Sequence, residues 1–219
     1  IKPGISTLEI DKLGEKFIRD KGAEPSFKGY RGYPASVCTS INEEVVHGIP
    51  SKDRILEDGD IISLDIGAIY KGFNGDAART FAVGEVDNKI EKLIEVTRES
   101  FYKGIEKAVP GNRLTDISHS IQKYVESNKF SVVREYVGHG IGTSMHEDPQ
   151  IPNFGPPGRG PTLKAGMTLA IEPMVNIGKF EVETLDDGWT VVTKDRSLSS
   201  HYENTIAITE EEPLILSKV

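Results

Sequence analysis

Cysteine is nearly missing from this chain: Cys38 is the only one among 219 residues. No internal disulfide can form, which suits a reducing compartment. No apolar run approaches the roughly 20 residues that cross a bilayer. Residues 1–7 read as a turn leading into a helix, not as the pattern expected of a signal peptide. Low-complexity tracts are missing as well, and the one strong loop signal is NFGPPGRGP at 153–161. Positive charge is in short supply: 26 Lys and Arg face 34 Asp and Glu, a net charge of −8. That argues against nucleic acid or an anionic membrane as principal ligand, and solubility accounts for the acidity. What remains is an ordinary composition, 37% apolar and 27% charged, long enough for one sizeable core or two small ones.

The chain repeats itself. Pro3-Gly4 opens a helical pattern with an apolar stripe of Ile10, Leu13, Phe17 and Ile18, and Ser6 and Glu9 have capping-box spacing. Pro110-Gly111 opens a similar pattern with Ile117, Ile121, Tyr124 and Val125. Downstream, Leu56-Glu-Asp-Gly59 leads into apolar residues ending at Asp65, and Leu163-Lys-Ala-Gly166 leads into apolar residues ending at Glu172. Both blocks keep one offset of 107 residues, from Pro3 to Pro110 and from Asp65 to Glu172. We therefore expect one catalytic domain over 1–219 made of two related halves, about 1–108 and 109–219. Each is a helix followed by strands, packed about a pseudo-twofold axis where Asp65 and Glu172 face each other. A helix is expected over Asn88–Ala108 between them. Strand-like runs occupy Ile61–Tyr70, Asp76–Val83, Val132–Val137, Met167–Val175, Thr190–Thr193 and Tyr202–Ile208. The order indicates an α+β fold, a mostly antiparallel sheet covered by helices on one face.

Four carboxylates sit in apolar or small-residue segments: Asp65 in SLDIG, Asp76 in FNGDAAR, Glu172 in LAIEPMV and Glu203 in SHYENTIAI. A buried carboxylate costs several kcal/mol unless paired or metal-bound. Pairing would enlist Arg79 for one acid and Lys194 or Arg196 for another; four acids exceed the bases in comparably apolar context, which favours a metal site. Asp65 and Asp76 can share a metal only if the hairpin between them turns tightly. A loop spanning Lys71–Gly75 would leave them roughly 17 Å apart. A turn centred on Tyr70-Lys71 puts them directly opposite, within about 6 Å and on one face, with Gly75 in or beside a strand.

Three histidines join this set: His139 between glycines in GHGIG, His146 in MHEDP and His47 in VHGIP. Flanking glycines let a backbone approach a ligand closely. None has the HExxH spacing of a mononuclear zinc protease. Taken singly, each also reads as a packed core or loop histidine, and His119 and His201 receive no role. Four acids and one imidazole are balanced by two divalent ions rather than one. Oxygen-rich ligation admits manganese, iron or cobalt as readily as zinc, and two close ions suit hydrolysis.

Together these segments resemble the type I methionine aminopeptidases, metallopeptidases of the pita-bread fold. The similarity runs from Pro3 to Ile208 through GYPASVCTSINEEVVHGIP, REYVGHGIG, MHEDPQ, LAIEPMV, DGWTVVTKDRSLSSHYENTI and the Asp65/Asp76 pair. The resemblance implies Asp65, Asp76, His139, Glu172 and Glu203 as metal ligands, with Asp76 and Glu203 bridging. It implies Glu172 as general base toward water, His146 as a hydrogen-bond donor to the scissile carbonyl oxygen, and His47 against the backbone or amine at the scissile bond. A methionine pocket would be formed by Phe27, Tyr30, Tyr33, Cys38, Met145 and Trp189, where aromatic rings, a thiol and a thioether suit a flexible thioether side chain; plain core packing is the alternative. Met145 departs from the Phe many relatives carry there. The family also implies a monovalent cation near Asn42 and Ser199, and removal of initiator methionine from nascent polypeptides by a cytoplasmic, monomeric enzyme. Physiological metal and ribosome contact stay open. Relatives usually carry a further helix ahead of the segment that begins here at Ile1. Rival readings are a proline-directed pita-bread peptidase and an inactive relative that only binds proteins.

Overall fold

The computed structural model describes residues 1–218; Val219, the last residue of the expected domain, lies outside them. In chain order the elements are α1 (Thr7–Asp20), β1 (Glu24–Pro25), β2 (Cys38–Ile41), β3 (Glu44–Val46), β4 (Ile61–Tyr70), β5 (Phe73–Ala82), α2 (Asn88–Ile105) and α3 (Leu114–Ser127). There follow β6 (Ser131–Val132), β7 (Gly138–Gly140), β8 (Glu147–Ile151), β9 (Thr168–Ile171) and β10 (Met174–Asn176). The last are β11 (Val182–Thr184), β12 (Val191–Thr193), β13 (Ser199–His201), β14 (Asn204–Ala207) and β15 (Leu214–Ile215).

Every strand pairing among the described residues is antiparallel, in four small sheets rather than one. β4 is central in the first sheet, pairing with β1, β2 and β5, and β9 lies between β14 and β7 in the largest. The main core joins Leu93 and Phe101 of α2 and Ile117 and Ile121 of α3 to Ile61, Leu169, Ile171 and Ile206 of the strands. That burial supplies the bulk of the driving force and fixes β4, β9 and β14 against one helical layer.

Helix α1 begins with the expected capping box: Ser6 Oγ accepts from the Glu9 N–H (3.2 Å) and the Ser6 N–H donates to Glu9 Oε2 (2.9 Å). Its apolar stripe is only half buried, because Ile10 and Ile18 face the core while Leu13 and Phe17 are 61% and 65% exposed. The two blocks of the repeat fold alike. Helices α1 and α3 each have 14 residues. Gly4 N–H donates to Leu56 O (2.8 Å) and Gly111 N–H to Leu163 O (3.0 Å), while single bridges join Ser6 to Ile55 and Arg113 to Thr162.

Several expected boundaries move. Helix α2 stops at Ile105, short of Ala108, and β5 starts earlier, at Phe73. Only Val132 of the Val132–Val137 run is in a strand with a partner before β7; the Val133 N–H still reaches Met174 O (3.0 Å). The Met167–Val175 run is two strands, broken at Glu172-Pro173, because proline has no N–H to offer a ladder. The Thr190–Thr193 and Tyr202–Ile208 runs shorten to Val191–Thr193 and Asn204–Ala207.

Candidate metal and peptide site

The β4–β5 hairpin sets the first two acids. Its turn is tight, as expected, but centred one residue later: Tyr70 pairs with Phe73 across Lys71-Gly72. Both turn residues have positive φ (50° and 85°), which Gly72 adopts without cost and an aromatic Tyr70 would resist. The register therefore places Asp65 opposite Ala78 and Asp76 opposite Gly67, so the acids are diagonal rather than directly opposite. Parity is kept, so both remain on one face, where the charge of Asp76 acts on the Asp65 carboxyl. Gly75 lies in β5, opposite Ala68.

The other acids arrive from the second half. Glu172 follows β9 at the proline break, and Glu203 lies between β13 and β14. Glu203 is sewn directly to β5: its N–H donates to Ala78 O (2.9 Å), and its carbonyl accepts in turn from the Ala78 N–H (3.4 Å). Asp76 N–H donates to Thr205 Oγ1 (2.8 Å) beside it. His139 comes from β7, held between β8 and β9. Its flanking glycines serve the sheet rather than a ligand: a Cβ on Gly138 would lie 2.4 Å from Ala170 O, and one on Gly140 2.3 Å from Asp148 O. The His139 Nδ1–H donates to Gly140 O (2.8 Å), leaving Nε2 free and 3.6 Å from Glu172 Oε1.

These groups face one another without a base between them. Arg79 spends its guanidinium on the Ala78 and Glu203 carbonyls and the Asn204 side chain, and Arg196 pairs with Glu183 (2.7 Å). Among the described residues no Lys or Arg forms an ion pair with Asp65, Asp76, Glu172 or Glu203. Burial, with mutual repulsion added, holds Asp65, Glu172 and Glu203 well above the usual carboxylate range; burial alone pushes Asp76 up to about 6. Asp65 Oδ1 and Glu203 Oε1 are buried with no hydrogen-bond partner. Asp76, His139 and Glu203 offer ligand atoms within 4.8 Å of one another, and so do Glu172, His201 and Glu203. Glu203 belongs to both groups. Orphaned oxygens, uncompensated acids and a free imidazole nitrogen are the environment that divalent cations satisfy.

A cavity of about 150 Å³ opens over these five groups. Its walls carry Phe27, Tyr30, Tyr33, Cys38 and Trp189, and the histidines His47 and His146. Met145 is brought close but not onto the surface; it is buried beneath Phe27 and Tyr30 beside Ile141 and Ala170. Tyr33 meets Trp189 edge-on (5.1 Å between ring centres), and the Tyr33 hydroxyl donates to Gly48 O (2.9 Å). Burial raises the Cys38 thiol, which stays a neutral apolar wall. His47, at φ 61°, presents its ring edge-on to Tyr136 and Trp189, and burial lowers it to about 4. His146 stacks on Tyr30 (5.3 Å), accepts or donates at Nδ1 with the Tyr30 hydroxyl (2.9 Å), and lies 4.2 Å from the His139 ring. Partial burial, helped by His139 and Arg31, brings it down to about 4. Asn42 and Ser199 are also neighbours, the Ser199 N–H donating to Asn42 O (2.9 Å).

Two residues escaped the sequence reading. Arg31 reaches the cavity wall from the turn that carries Tyr30, and its sequence neighbours were the available signal. His201 was passed over as merely preceding a strand; its position two residues before Glu203, the spacing of a shared face, was the clue.

Residues 1–210 match the metallopeptidase family M24. The chain is similar to the methionine aminopeptidase of Clostridium acetobutylicum, 65% identical over 99% of this chain and 86% of that protein. It is 60% identical to methionine aminopeptidase 1 of Bacillus subtilis, over 100% of this chain and 88% of that one. The crystal structure of methionine aminopeptidase from Thermotoga maritima superposes with a TM-score of 0.98 at 51% identity, covering 100% of this chain and 88% of that chain. A prolidase from Pyrococcus horikoshii OT3 shares the fold at a TM-score of 0.79 and 24% identity, but this chain covers only 56% of it. With the family matched almost end to end, the chain belongs to metallopeptidase family M24.

Proposed function

We propose that this chain removes N-terminal methionine from polypeptides, as a metal-dependent exopeptidase acting on the first peptide bond. The observation that carries this reading is one small cavity that joins an apolar, thiol-containing wall to a floor of four uncompensated carboxylates and a free imidazole nitrogen. Identities of 65% and 60% to enzymes named methionine aminopeptidase support the same substrate. The proline-directed alternative is disfavoured, since the prolidase likeness is at the level of fold.

In this reading Asp65, Asp76, His139, Glu172 and Glu203 would hold two divalent ions, Glu203 being common to both groups of donors; cobalt, manganese, iron and zinc all suit the donors. When bound, the ions acidify water and stabilise developing negative charge. Glu172 takes a proton from the attacking water at its carboxylate. His146 stays neutral; with Nδ1 accepting from the Tyr30 hydroxyl, Nε2 carries its hydrogen and donates to the scissile carbonyl oxygen. His47 contacts the amine side. Phe27, Tyr30, Tyr33, Cys38 and Trp189 surround the methionine side chain, and Met145 supports them from below. The same reading assigns the monovalent cation to the Asn42–Ser199 pair. It treats the chain as one domain of two related halves, about 1–108 and 109–219, for which the matching hydrogen bonds of Gly4 and Gly111 are support.

A peptide panel differing only in the first residue, assayed with each candidate metal, tests this directly. Methionine is expected to be cleaved best and Glu172→Ala to be inactive yet folded. Preference for peptides defined by proline, or near-normal activity of that variant, overturns the assignment.

A further inference from the structure

We propose that His201 is a positioning residue of the centre, using its Nε2–H to hold the Glu203 carboxylate in the orientation that serves both ions. This rests on the reading that makes Glu203 a shared ligand.

His201 Nε2 lies 3.8 Å from Glu203 Oε2, with both side chains only 2% exposed. That nitrogen is buried without a hydrogen-bond partner, and so is the other Glu203 oxygen, Oε1. A buried polar nitrogen left alone is rare enough to call for a use. Here it faces a carboxylate less than 1 Å beyond hydrogen-bonding range. Glu203 meanwhile is repelled by Asp76, Glu172 and Asp65. Cations in the centre remove that repulsion, and the carboxylate is then free to settle onto the imidazole.

The ring is well placed to act as a fixed post. His201 N–H donates to Thr80 Oγ1 (2.9 Å), and its carbonyl accepts from the same hydroxyl (2.9 Å). Thr80 Oγ1 is also bonded to Ser63 Oγ (2.7 Å) on the neighbouring strand. The histidine backbone is thus clamped from outside the cavity, on β4 and β5, rather than by the acids it faces. Metal-ligating carboxylates are themselves commonly hydrogen-bonded, and losing such a partner weakens metal binding without removing a ligand. His139, by contrast, spends Nδ1 on its own backbone and turns a free Nε2 to the acids, as a ligand does.

The test compares the wild-type chain with His201→Ala, His201→Gln and His201→Asn. Metal-free protein is titrated calorimetrically with Co²⁺, and the visible Co²⁺ spectrum is recorded. His201→Ala is expected to weaken the affinity for at least one ion by about 10–100-fold. His201→Gln, whose amide N–H reaches a similar point, should restore most of that affinity and leave the Co²⁺ bands in place. His201→Asn, one methylene shorter, should behave as Ala does, and it keeps the comparison available if the Ala variant does not fold. Unchanged Co²⁺ affinity in both Ala and Asn variants overturns the proposal. So does a glutamine variant as weak as alanine with shifted Co²⁺ bands, which would make His201 a direct ligand. A wild-type chain that takes up no Co²⁺ is a separate result: it overturns the ligand assignment and the role of His201 with it.

Discussion

Gly67→Ala is the substitution by which the cavity wall can be tested most sharply. Gly67 lies on β4 opposite Asp76, behind the aromatic wall. A Cβ there would lie 2.6 Å from Phe27 Cε1, 3.0 Å from Ser26 Cβ and 3.1 Å from Met145 Cε. Carbon atoms rest at about 3.5–4.0 Å, so the Phe27 ring edge has to give by about 1 Å. Ser26 cannot retreat, because its N–H is bonded to Gly67 O (3.0 Å). The end of Met145 can swing, since a thioether is flexible. Phe27 joins the Tyr33–Cys38 group to the Met145–Ala170 group, so its easiest displacement is into the cavity. A cavity of about 150 Å³ then loses room comparable to a methyl group. One methylene of misfit in an apolar pocket is worth about 1–3 kcal/mol, or about 10–200-fold. We expect kcat/KM for a Met-Gly-Gly peptide to fall at least about 10-fold, with a smaller loss for the norvaline analogue, whose side chain is shorter. Calorimetric titration with Co²⁺ should be unaltered, and stability should fall by about 1–3 kcal/mol from overpacking. Equal losses on both peptides together with weakened metal binding would place the damage at Asp76 instead. An unchanged kcat/KM would refute the assignment of Phe27 to the methionine pocket.

Three other perturbations follow from the same structure. In metal-free protein, carboxyls such as Asp76 have folded values above their unfolded ones, so stability is greatest below about pH 4 for that group and is lost as pH rises through about 6; thermal melts with chelator should show this fall, and added Co²⁺ should reverse it. Tyr33→Phe removes the donor to Gly48 O and Val37 O and is expected to cost about 1–3 kcal/mol in urea unfolding; a neutral result would mean those carbonyls find other partners. Ser6→Ala breaks the capping box of α1 and should cost about 1 kcal/mol by the same measurement, with activity retained.

Much of this architecture was legible in the sequence because short-range rules set it. The capping box of α1, the span Ile61–Tyr70 and the start of α2 at Asn88 depend on neighbours a few residues away. The site acids were legible for a different reason: a carboxylate amid apolar residues is a local anomaly whatever its distant partners are. What was misjudged depended on tertiary context or on one conformational detail. The hairpin register turned on which residue tolerates positive φ, and Lys71-Gly72 suits it better than Tyr70-Lys71. Leu13 and Phe17 have the periodicity of core residues but face outward, since periodicity names a face and not what covers it. For His201 the sequence held only its two-residue spacing from Glu203, because the Thr80 hydroxyl that clamps its backbone lies on a strand from the other half of the chain.

The reciprocal hydrogen bonds between Ala78 and Glu203 have a consequence for how the molecule comes together. Asp76 and Thr205, bonded beside them, are 129 residues apart in sequence. Contacts so distant carry the loop-closure entropy of everything between, and they form after local helices and hairpins. Early in folding, Asp65 and Asp76 are therefore two solvated acids on an ordinary hairpin. Their charges become expensive only when the segment bearing Glu203, between β13 and β14, docks. Docking in the presence of divalent cations is favoured over docking without them, so the folding rate should carry a dependence on metal concentration that resides in this one late seam.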